Sequence, residues 1–434
     1  MPAPLPAFRT AARLRPVDVV QPGTRVGPAP YVAAERDLGA GRPVPADVVL
    51  RSGGTTLRAT WDGAVVALEV GGPTGGVSRH VSRRHGRAES PTSLAVALTG
   101  PFVSAFVREA GAWVARAVVD LTLLPGAPDV HDEAWLAALT AEGERTGTFG
   151  QLGFRDVRAV THADGTAYLD GDRVLLTATS AGPGGFRTGH TSVWALDPLR
   201  LELEHRADLF FRRADRPGTF GDHATHLVRD ADRWLVATST WGDFDKRTHP
   251  RVTTTLATGA AADGDLLRGH HVLDTVPLDL PVDGLDSVGR WDPHLVRTEG
   301  GWLAAYVSAR RFFSFHPVLA QGPDLDRLRL RAAATDRTAT EGPTLTRLGE
   351  EWAVLASDGR DNPRGRRAGY PVYDLDLRQR GTLDADYPTN IPWPTLVPTS
   401  EGPVVVGFDG TPAGGPLLGY GTHGDLVVQR VVLA

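Results

Sequence analysis

Residues 292–308 read DPHLVRTEGGWLAAYVS: an apolar run opens on an acid and a proline, turns at RTEGG, and returns as a second apolar run. Two short apolar runs joined by a glycine-containing turn are typical of a β-hairpin. The same hairpin recurs four more times between residue 150 and the end of the chain. Repeats of this kind indicate a radial or solenoid architecture rather than a single irregular domain.

The five hairpins keep the same order of parts. The predicted first strands are DVRAV (156–160), ATHLV (224–228), DPHLV (292–296), EGPTLT (341–346) and WPTLV (393–397). The predicted second strands are VLLTATSA (174–181), WLVATST (234–240), WLAAYVS (302–308), WAVLAS (352–357) and VVVGF (404–408). The predicted third strands are TSVWAL (191–196), VTTTLATG (252–259), HPVLAQG (316–322), YPVYDLD (370–376) and PLLGYG (416–421).

A fourth, more polar strand is expected to complete each unit. Four-stranded units repeated around an axis make a β-propeller. Residues 149–434 are therefore predicted to form a five-bladed β-propeller, with DLVVQRVVLA (425–434) closing the ring onto the first blade. The alternative is an antiparallel sandwich in which the five matching triplets arise by coincidence.

The first part of the chain has a different pattern. Residues 1–45 are rich in Pro, Ala and Gly and are predicted to be irregular. Residues 46–148 contain short apolar runs separated by turns, which predicts a small β-rich, sandwich-like domain. Its final stretch, HDEAWLAALTAEG (131–143), has apolar residues at helical spacing and is predicted to be a linking helix. The predicted fold class is all-β: a propeller with an N-terminal small β domain and a linking helix.

Composition limits the possible partners and locations. The formal net charge of -5 does not favour nucleic acid or an anionic membrane as a partner. The chain has no cysteine, which excludes disulfides and thiol nucleophiles. Neither a signal peptide nor a run of about 18 apolar residues is recognisable, so a cytoplasmic protein is expected. The sequence leaves the oligomeric state open.

The starts of the five first strands converge in a propeller, because the innermost strand of every blade begins near the axis. Those positions are interpreted as Asp156, Ala224, Asp292, Glu341 and Trp393. Carboxylates gathered on one axis repel one another, which raises pKa values. Such a group suits acid–base chemistry, in which one carboxylate is ionised and another holds a proton.

The order Asp in blade I, Asp-Pro in blade III and Glu-Gly-Pro in blade IV resembles glycoside hydrolase family 43. That family comprises inverting arabinofuranosidases, xylosidases and arabinanases. The resemblance covers about 280 residues and implies that Asp156 is the general base, that Asp292 tunes the acid, and that Glu341 is the general acid. Related fructosidases fit less well, since they carry Asn-Asp-Pro-Asn in blade I and Glu-Cys in blade IV.

No cofactor is predicted. Many members of the family use a fifth-blade histidine near a bound metal, and this chain lacks it, so no metal is predicted either. The run Asp222-His223-x-x-His226 matches no standard metal-ligand spacing. The expected partner is an oligosaccharide or glycoside substrate, with a pentose-containing glycan implied by the resemblance.

Five further residues are candidates for substrate binding. Arg155 adjoins Asp156, and Arg310 follows the second strand of blade III; arginine beside carboxylates lowers their pKa and holds sugar hydroxyls. His223 precedes the second inner strand. Trp241 and Trp393 offer faces on which a sugar ring stacks. The structural alternatives are solvated arginines and core tryptophans.

Two other functions fit the same scaffold. A non-catalytic carbohydrate-binding propeller would keep the aromatic residues but has no need of an acid and a base on different blades. A glycoside phosphorylase would need basic residues placed for phosphate beside the carboxylates, and the arginines keep that possibility open.

Overall fold

The computed structural model describes residues 6–22, 28–39, 44–73, 75–183, 185–260, 265–410 and 423–432. Within these ranges the chain is built almost wholly from strands, as alternating and β-branched apolar runs predict. The N-terminal third contributes twelve strands: β1 (Phe8–Leu14), β2 (Asp18–Pro22), β3 (Tyr31–Asp37), β4 (Ala46–Ser52), β5 (Thr55–Trp61), β6 (Val66–Gly71), β7 (Val77–His80), β8 (Ser93–Thr99), β9 (Phe102–Glu109), β10 (Ala112–Asp120), β11 (Thr140–Glu142) and β12 (Arg145–Gln151).

The remainder contributes twenty-two strands. Those as far as the middle of the repeats are β13 (Phe154–Ala159), β14 (Thr161–His162), β15 (Leu169–Asp170), β16 (Arg173–Ser180), β17 (His190–Asp197), β18 (Glu202–Arg213), β19 (Arg216–Phe220), β20 (His223–Asp230), β21 (Arg233–Ser239), β22 (Thr254–Ala260) and β23 (Gly269–Pro277). The later ones are β24 (Gly289–Thr298), β25 (Gly301–Arg311), β26 (Ser314–Gly322), β27 (Arg329–Ala333), β28 (Thr340–Leu348), β29 (Glu351–Asp358), β30 (Tyr370–Tyr373), β31 (Gln379–Leu383), β32 (Thr395–Val397), β33 (Val404–Phe408) and β34 (Leu426–Val431).

Five four-stranded antiparallel units follow one another, which confirms the predicted five-bladed propeller. From the axis outward their strand orders are β13-β16-β17-β18, β20-β21-β22-β23, β24-β25-β26-β27, β28-β29-β30-β31 and β32-β33-β34-β1. We call these units blades I to V. The outer strands β18 and β23 also pair in parallel, which joins blades I and II into one sheet.

Blade V differs from its prediction. Its proposed third strand, PLLGYG (416–421), lies outside the described residues. The third position is filled by β34, and the fourth by β1, which pairs with β34 from Phe8↔Val431 to Leu14↔Leu426. The final segment was predicted to close the ring onto blade I, and that is wrong: the ring closes inside blade V, between the two ends of the chain.

The prediction that residues 1–45 are irregular is also wrong where the structure describes them. Besides β1, this segment supplies β2 and β3 to a six-stranded sheet of order β10-β9-β8-β3-β12-β2. The proline-rich segments between β1, β2 and β3 made these short strands hard to recognise in the sequence. In β1, buried and exposed residues alternate only weakly. A second sheet, β11-β4-β5-β6-β7, packs on the first over a shared apolar core. We call this two-sheet unit the sandwich.

The linking helix is shorter than predicted. It spans α1 (Glu133–Ala137), capped by the Asp132 side chain, and residues 140–142 form β11 instead. Among the described residues, short 3-10 turns occur at Leu121–Leu123, Phe186–Thr188 and Leu325–Arg327. In the described part of the chain, none of the helices has the length and apolar character needed to cross a bilayer.

Candidate active site

A β-bulge near the start of the inner strand builds the site in blades I to IV. At each bulge the inner strand has one more residue than the second strand that pairs with it. The bulges lie between Arg155 and Arg158, His223 and His226, Trp291 and His294, and Glu341 and Thr344. Bulges re-aim side chains and are common beside active sites. Each bulge here turns a short stretch of backbone toward the propeller axis.

The bulge residues of blades I to IV, and Trp393 just before the inner strand of blade V, adopt the left-handed conformation, which is rare for residues other than glycine. The five positions are Asp156 (φ 52°), Ala224 (59°), Asp292 (59°), Gly342 (66°) and Trp393 (45°). Strained backbone of this kind is concentrated at functional sites. The fourth blade therefore corrects the sequence alignment by one residue, because Gly342, and not Glu341, matches Asp156 and Asp292.

That shift gives Glu341 different neighbours. It shares its position in the repeat with Arg155, His223 and Trp291, the residues that precede each bulge. The Trp393 ring explains why glycine is needed next: a Cβ on Gly342 would lie 2.4 Å from its Cγ. We call Arg155, His223, Trp291 and Glu341 the upper ring.

Hydroxyl groups hold the bulges in place from blade to blade. The backbone N–H of Ala224 donates to Thr179 Oγ1 (3.3 Å), that of Asp292 to Ser239 Oγ (2.9 Å), and that of Trp393 to Ser357 Oγ (3.0 Å). Each acceptor lies on the second strand of the preceding blade. The relative positions of the blades, and so of their acids, are fixed by these bonds.

Asp156 is surrounded by donors. Its Oδ2 accepts a hydrogen bond from Thr179 Oγ1 at 2.8 Å, and Arg155 Nε donates to its Oδ1 at 3.3 Å. Its side chain is buried. Two donors on one carboxyl group suit the ionised form, which a general base requires.

Glu341 is arranged in the opposite sense. Burial raises the pKa of Glu341 to about 7, and the nearby Asp156 charge adds to the rise, while Arg155 opposes it. Trp291 Nε1 donates to Glu341 Oε1 at 2.9 Å, which fixes the carboxyl group and also lowers the pKa slightly. A carboxyl group with a pKa near neutrality can hold a proton and release it during a reaction.

Asp292 is the least compensated of the three acids. It is buried, and burial together with Glu341 and Asp156 raises its pKa well above the usual range, against the effect of Arg158. Among the described residues its Oδ2 has no hydrogen-bond partner. A buried oxygen of this kind is expected to meet a ligand donor, such as a sugar hydroxyl.

Arg158 lies beneath the acids and connects three blades. Its Nη2 donates to the Asp292 carbonyl (3.0 Å), and its Nη1 donates to the Pro343 carbonyl and to Thr344 Oγ1 (both 3.0 Å). The guanidinium group also lies 4.6 Å from the centre of the Trp393 ring. Burial lowers the pKa of Arg158 to about 10, but Asp292 and Asp156 favour its charge, so it remains a cation at neutral pH.

Three of the five predicted binding residues reach the site. Arg155 contacts Asp156, as described above. His223 is buried, its Nδ1 lies 3.0 Å from the Gly221 carbonyl oxygen, and burial lowers its pKa to about 4. The Trp241 ring is almost parallel to the His223 ring, with 6.4 Å between their centres.

The other two predicted binding residues are placed differently. Arg310 donates to the backbone carbonyl groups of Thr335 and Arg337, so its hydrogen bonds tie the chain that leads into blade IV. Trp393 is 1% exposed and packs between Arg158 and Gly342, which makes it a packing residue. The sequence did not indicate these contacts, because neither the second-strand position of Arg310 nor the blade position of Trp393 determines the direction of a side chain.

The Asp-His-x-x-His run does not gather on one point. Asp222 accepts from Arg213, whereas His226 Nδ1 accepts from the Leu295 N–H (3.0 Å) and its ring stacks on His294 at 3.9 Å. Across the described ranges, no group of three or more His, Asp or Glu side chains is arranged to hold a metal ion.

Sequence reasoning missed the role of Trp291 and of Thr179. Both could be found only from the bulges, since Trp291 matches Glu341 in the repeat and Thr179 pairs with Arg155 across the hairpin. Arg158 takes the same place in the repeat as His294, but nothing in the sequence shows that it bonds to two other blades.

Comparisons with known proteins give fold similarity at low identity. No protein-family model matches the chain, and a search of curated proteins finds no match. A GH32 β-fructofuranosidase from Bombyx mori, solved with sucrose, is 15% identical with a TM-score of 0.44 over 64% of this chain and 60% of that one. The match therefore spans less than two thirds of the fructofuranosidase.

Two further solved structures are similar to the same extent. A GH43_1 enzyme from Xanthomonas citri, complexed with xylose, is 12% identical over 65% of this chain and 88% of that one, with a TM-score of 0.44. A family 117 glycoside hydrolase from Zobellia galactanivorans is 10% identical over 64% and 84%, with a TM-score of 0.45. All three structural neighbours are glycoside hydrolases.

Proposed function

We propose that this protein is a glycoside hydrolase that cleaves a pentose-containing or related glycan with inversion at the anomeric carbon. The observation that carries the proposal is that two acids near the propeller axis, Asp156 and Glu341, have different surroundings. Asp156 receives two hydrogen-bond donors, whereas Glu341 is held by one indole N–H and has a pKa raised to about 7. Environments that separate two carboxyl groups in this way assign one as base and the other as acid.

The reaction needs one water molecule and no cofactor. Asp156 takes a proton from the water as its oxygen attacks the anomeric carbon, and the bond to the leaving oxygen breaks. Glu341 gives its proton to that oxygen. Proton exchange with solvent then returns both carboxyl groups to their starting states. Inverting enzymes separate their two carboxyl groups by about 6.5–9.5 Å to leave room for the water.

The remaining groups would stabilise the charged transition state and hold the sugar. The unpartnered Oδ2 of Asp292 is available to a sugar hydroxyl, and Arg155 and His223 line the same upper ring. The Arg158 cation would offset the negative charge of the neighbouring acids. The order of acids along the blades, which resembles family 43, supports the pentose class.

A panel of aryl glycosides tests the proposal. It should contain arabinofuranosides, xylosides, galactofuranosides and fructosides, each incubated with the wild-type protein and with Glu341→Gln. We expect turnover of at least one glycoside by the wild type and, where the phenol is a poor leaving group, a large loss in the variant. Proton NMR of the first product should show the inverted anomer. A retained anomer would reject inversion, and turnover of none of the four classes would reject the substrate assignment.

A further inference from the structure

A wall of aromatic rings extends from Glu341 to the protein surface. Trp291, which donates to Glu341, lies 5.3 Å from Trp241. Trp241 stacks on Phe186 with 4.7 Å between the ring centres and 17° between the planes. Trp291 lies near the start of the inner strand of blade III, and Trp241 and Phe186 lie in loops of blades II and I that follow a second strand.

The wall continues to an exposed end. Phe312 stacks on Phe244 at 4.8 Å and 10°, and it meets Phe186 edge to face at 6.0 Å. Phe313, next along the chain, is 64% exposed. Lys246, the only lysine of the chain, places its Nζ 5.1 Å from the Phe312 ring and 4.8 Å from the Phe313 ring. An exposed phenylalanine in contact with a stacked aromatic series is not required by the core.

The sandwich holds the loop that carries Phe186. Arg187 Nη2 donates to Asp120 at 2.8 Å, and its guanidinium group lies 4.8 Å from the Phe102 ring. The Tyr31 hydroxyl donates to the Gly189 carbonyl at 2.7 Å, on the other side of the same 3-10 turn. Three sandwich residues, Asp120, Phe102 and Tyr31, therefore hold the middle and the C-terminal end of this turn.

We propose that Phe186, Phe312 and Phe313 form a binding subsite for a second sugar ring, the one on the leaving side of the bond that is cleaved, and that the sandwich keeps this subsite in shape. The inference rests on the proposed function, because Glu341 defines the leaving side. Sugar rings present C–H groups on one face, and aromatic rings stack on that face without needing hydrogen bonds. The Lys246 ammonium, held beside the two phenylalanines, supplies a donor to the hydroxyls at the edge of such a ring.

The test compares substrates with and without that second ring. Wild type, Phe313→Ala and Phe312→Ala are assayed on xylotriose or arabinotriose, and on the corresponding glycosyl fluoride, whose leaving group has no ring. We expect kcat/KM to fall roughly tenfold on the trisaccharide, chiefly through KM, and by less than about twofold on the fluoride. Equal losses on both substrates, or no loss on either, would overturn the subsite.

Binding measurements separate this inference from the proposed function. Calorimetry with xylotriose and arabinotriose is carried out on wild type and Phe313→Ala without any requirement for turnover. Weaker binding by the variant supports the subsite even when the wild type cleaves neither sugar, which is the result that rejects the proposed function. Absence of binding by the wild type to both sugars rejects the subsite.

The role of the sandwich is tested by Asp120→Ala, which removes the acceptor of Arg187. The matched control is Glu142→Ala, which removes the exposed partner of Arg51 in the same domain. We expect Asp120→Ala to raise KM for the trisaccharide several-fold while kcat changes little, and Glu142→Ala to match the wild type. Equal behaviour of the two variants would show that the sandwich does not shape the subsite.

Discussion

Two clusters in this protein shift the pKa of a buried carboxyl group in opposite directions. In the outer strands of blades I and II, a single buried acid, Asp208, is met by three imidazoles. His190 Nε2 and His205 Nε2 each lie 3.0 Å from its Oδ1, and His270 Nδ1 lies 2.9 Å from its Oδ2. At the axis, three acids lie near two arginines, Arg155 and Arg158.

The pKa values move in opposite directions as a result. Burial acts to raise the pKa of Asp208, but the three imidazoles, led by His205, outweigh it and hold the pKa well below its usual range. Burial raises the pKa of Asp292 and is reinforced by Glu341 and Asp156. An acid whose neighbours favour its charge is stabilised in the fold, whereas strongly raised pKa values within a group of acids are typical of functional sites.

The largest expected effect is loss of turnover at the axis. Asp156→Asn and Glu341→Gln should each lower kcat by roughly 10²–10⁴-fold, the range for general acid–base groups, because each change removes a proton-transfer step. Steady-state kinetics on an aryl glycoside with a poor leaving group, cleaved by the wild type, measures this loss. Circular dichroism should show an intact fold for both variants, and wild-type rates in both would end the assignment.

The next effect concerns stability and separates the two clusters. Asp208→Asn should lower the free energy of unfolding by about 3 kcal/mol, because it leaves the buried His190 and His270 and the partly buried His205 without their carboxylate. Asp292→Asn should leave stability unchanged or raise it, because the acid it replaces is already poorly compensated. Urea unfolding of both variants at pH 7 measures the difference, and turnover should be lost only in Asp292→Asn.

The stability effect of Asp208 has a defined pH range. The folded-state pKa is depressed, so the stabilisation is present above the unfolded value of about 3.9 and is lost as pH falls toward the folded value. The gap between wild type and Asp208→Asn should therefore narrow below about pH 4. A gap that stayed constant down to pH 3 would contradict the imidazole–carboxylate account.

The sequence predicts features that follow from a local pattern of residues better than those that depend on strand pairing. The hairpin repeats fixed the blades and placed Asp156, Asp292 and Glu341 near one axis, since a strand start has a defined place in a propeller. The one-residue offset at Gly342 could not be predicted, because a bulge is a matter of backbone pairing. The place of β1 in blade V could not be predicted either, because its partner β34 lies far from it in the sequence.

A smaller effect is expected on the pH profile. Since Glu341 must be protonated to act as an acid and has a pKa of about 7, kcat/KM should fall as pH rises through about 7. The Trp291 hydrogen bond lowers the pKa of Glu341, so Trp291→Phe should move the fall in kcat/KM to higher pH. A pH–rate profile of the two proteins measures the shift, and movement to lower pH would argue against the bond.

The smallest effect is expected at Arg310. Its hydrogen bonds go to backbone carbonyl groups on the way to blade IV, so Arg310→Ala should cost about 1 kcal/mol of stability and leave KM unchanged. Arg155→Ala is the matched change inside the site and should lower kcat/KM. Similar KM values for these two variants would mean that the upper ring does not bind substrate.

The dependence of rate on the leaving group tests most directly whether Glu341 is the general acid and Asp156 the general base. Aryl glycosides of one sugar, with phenols of different acidity, are assayed with wild type, Asp156→Asn and Glu341→Gln. The account predicts that Glu341→Gln is slow only on poor leaving groups, which need a proton, and that Asp156→Asn is slow on all of them. Equal leaving-group dependence in the two variants would contradict the assignment of one acid and one base on this axis.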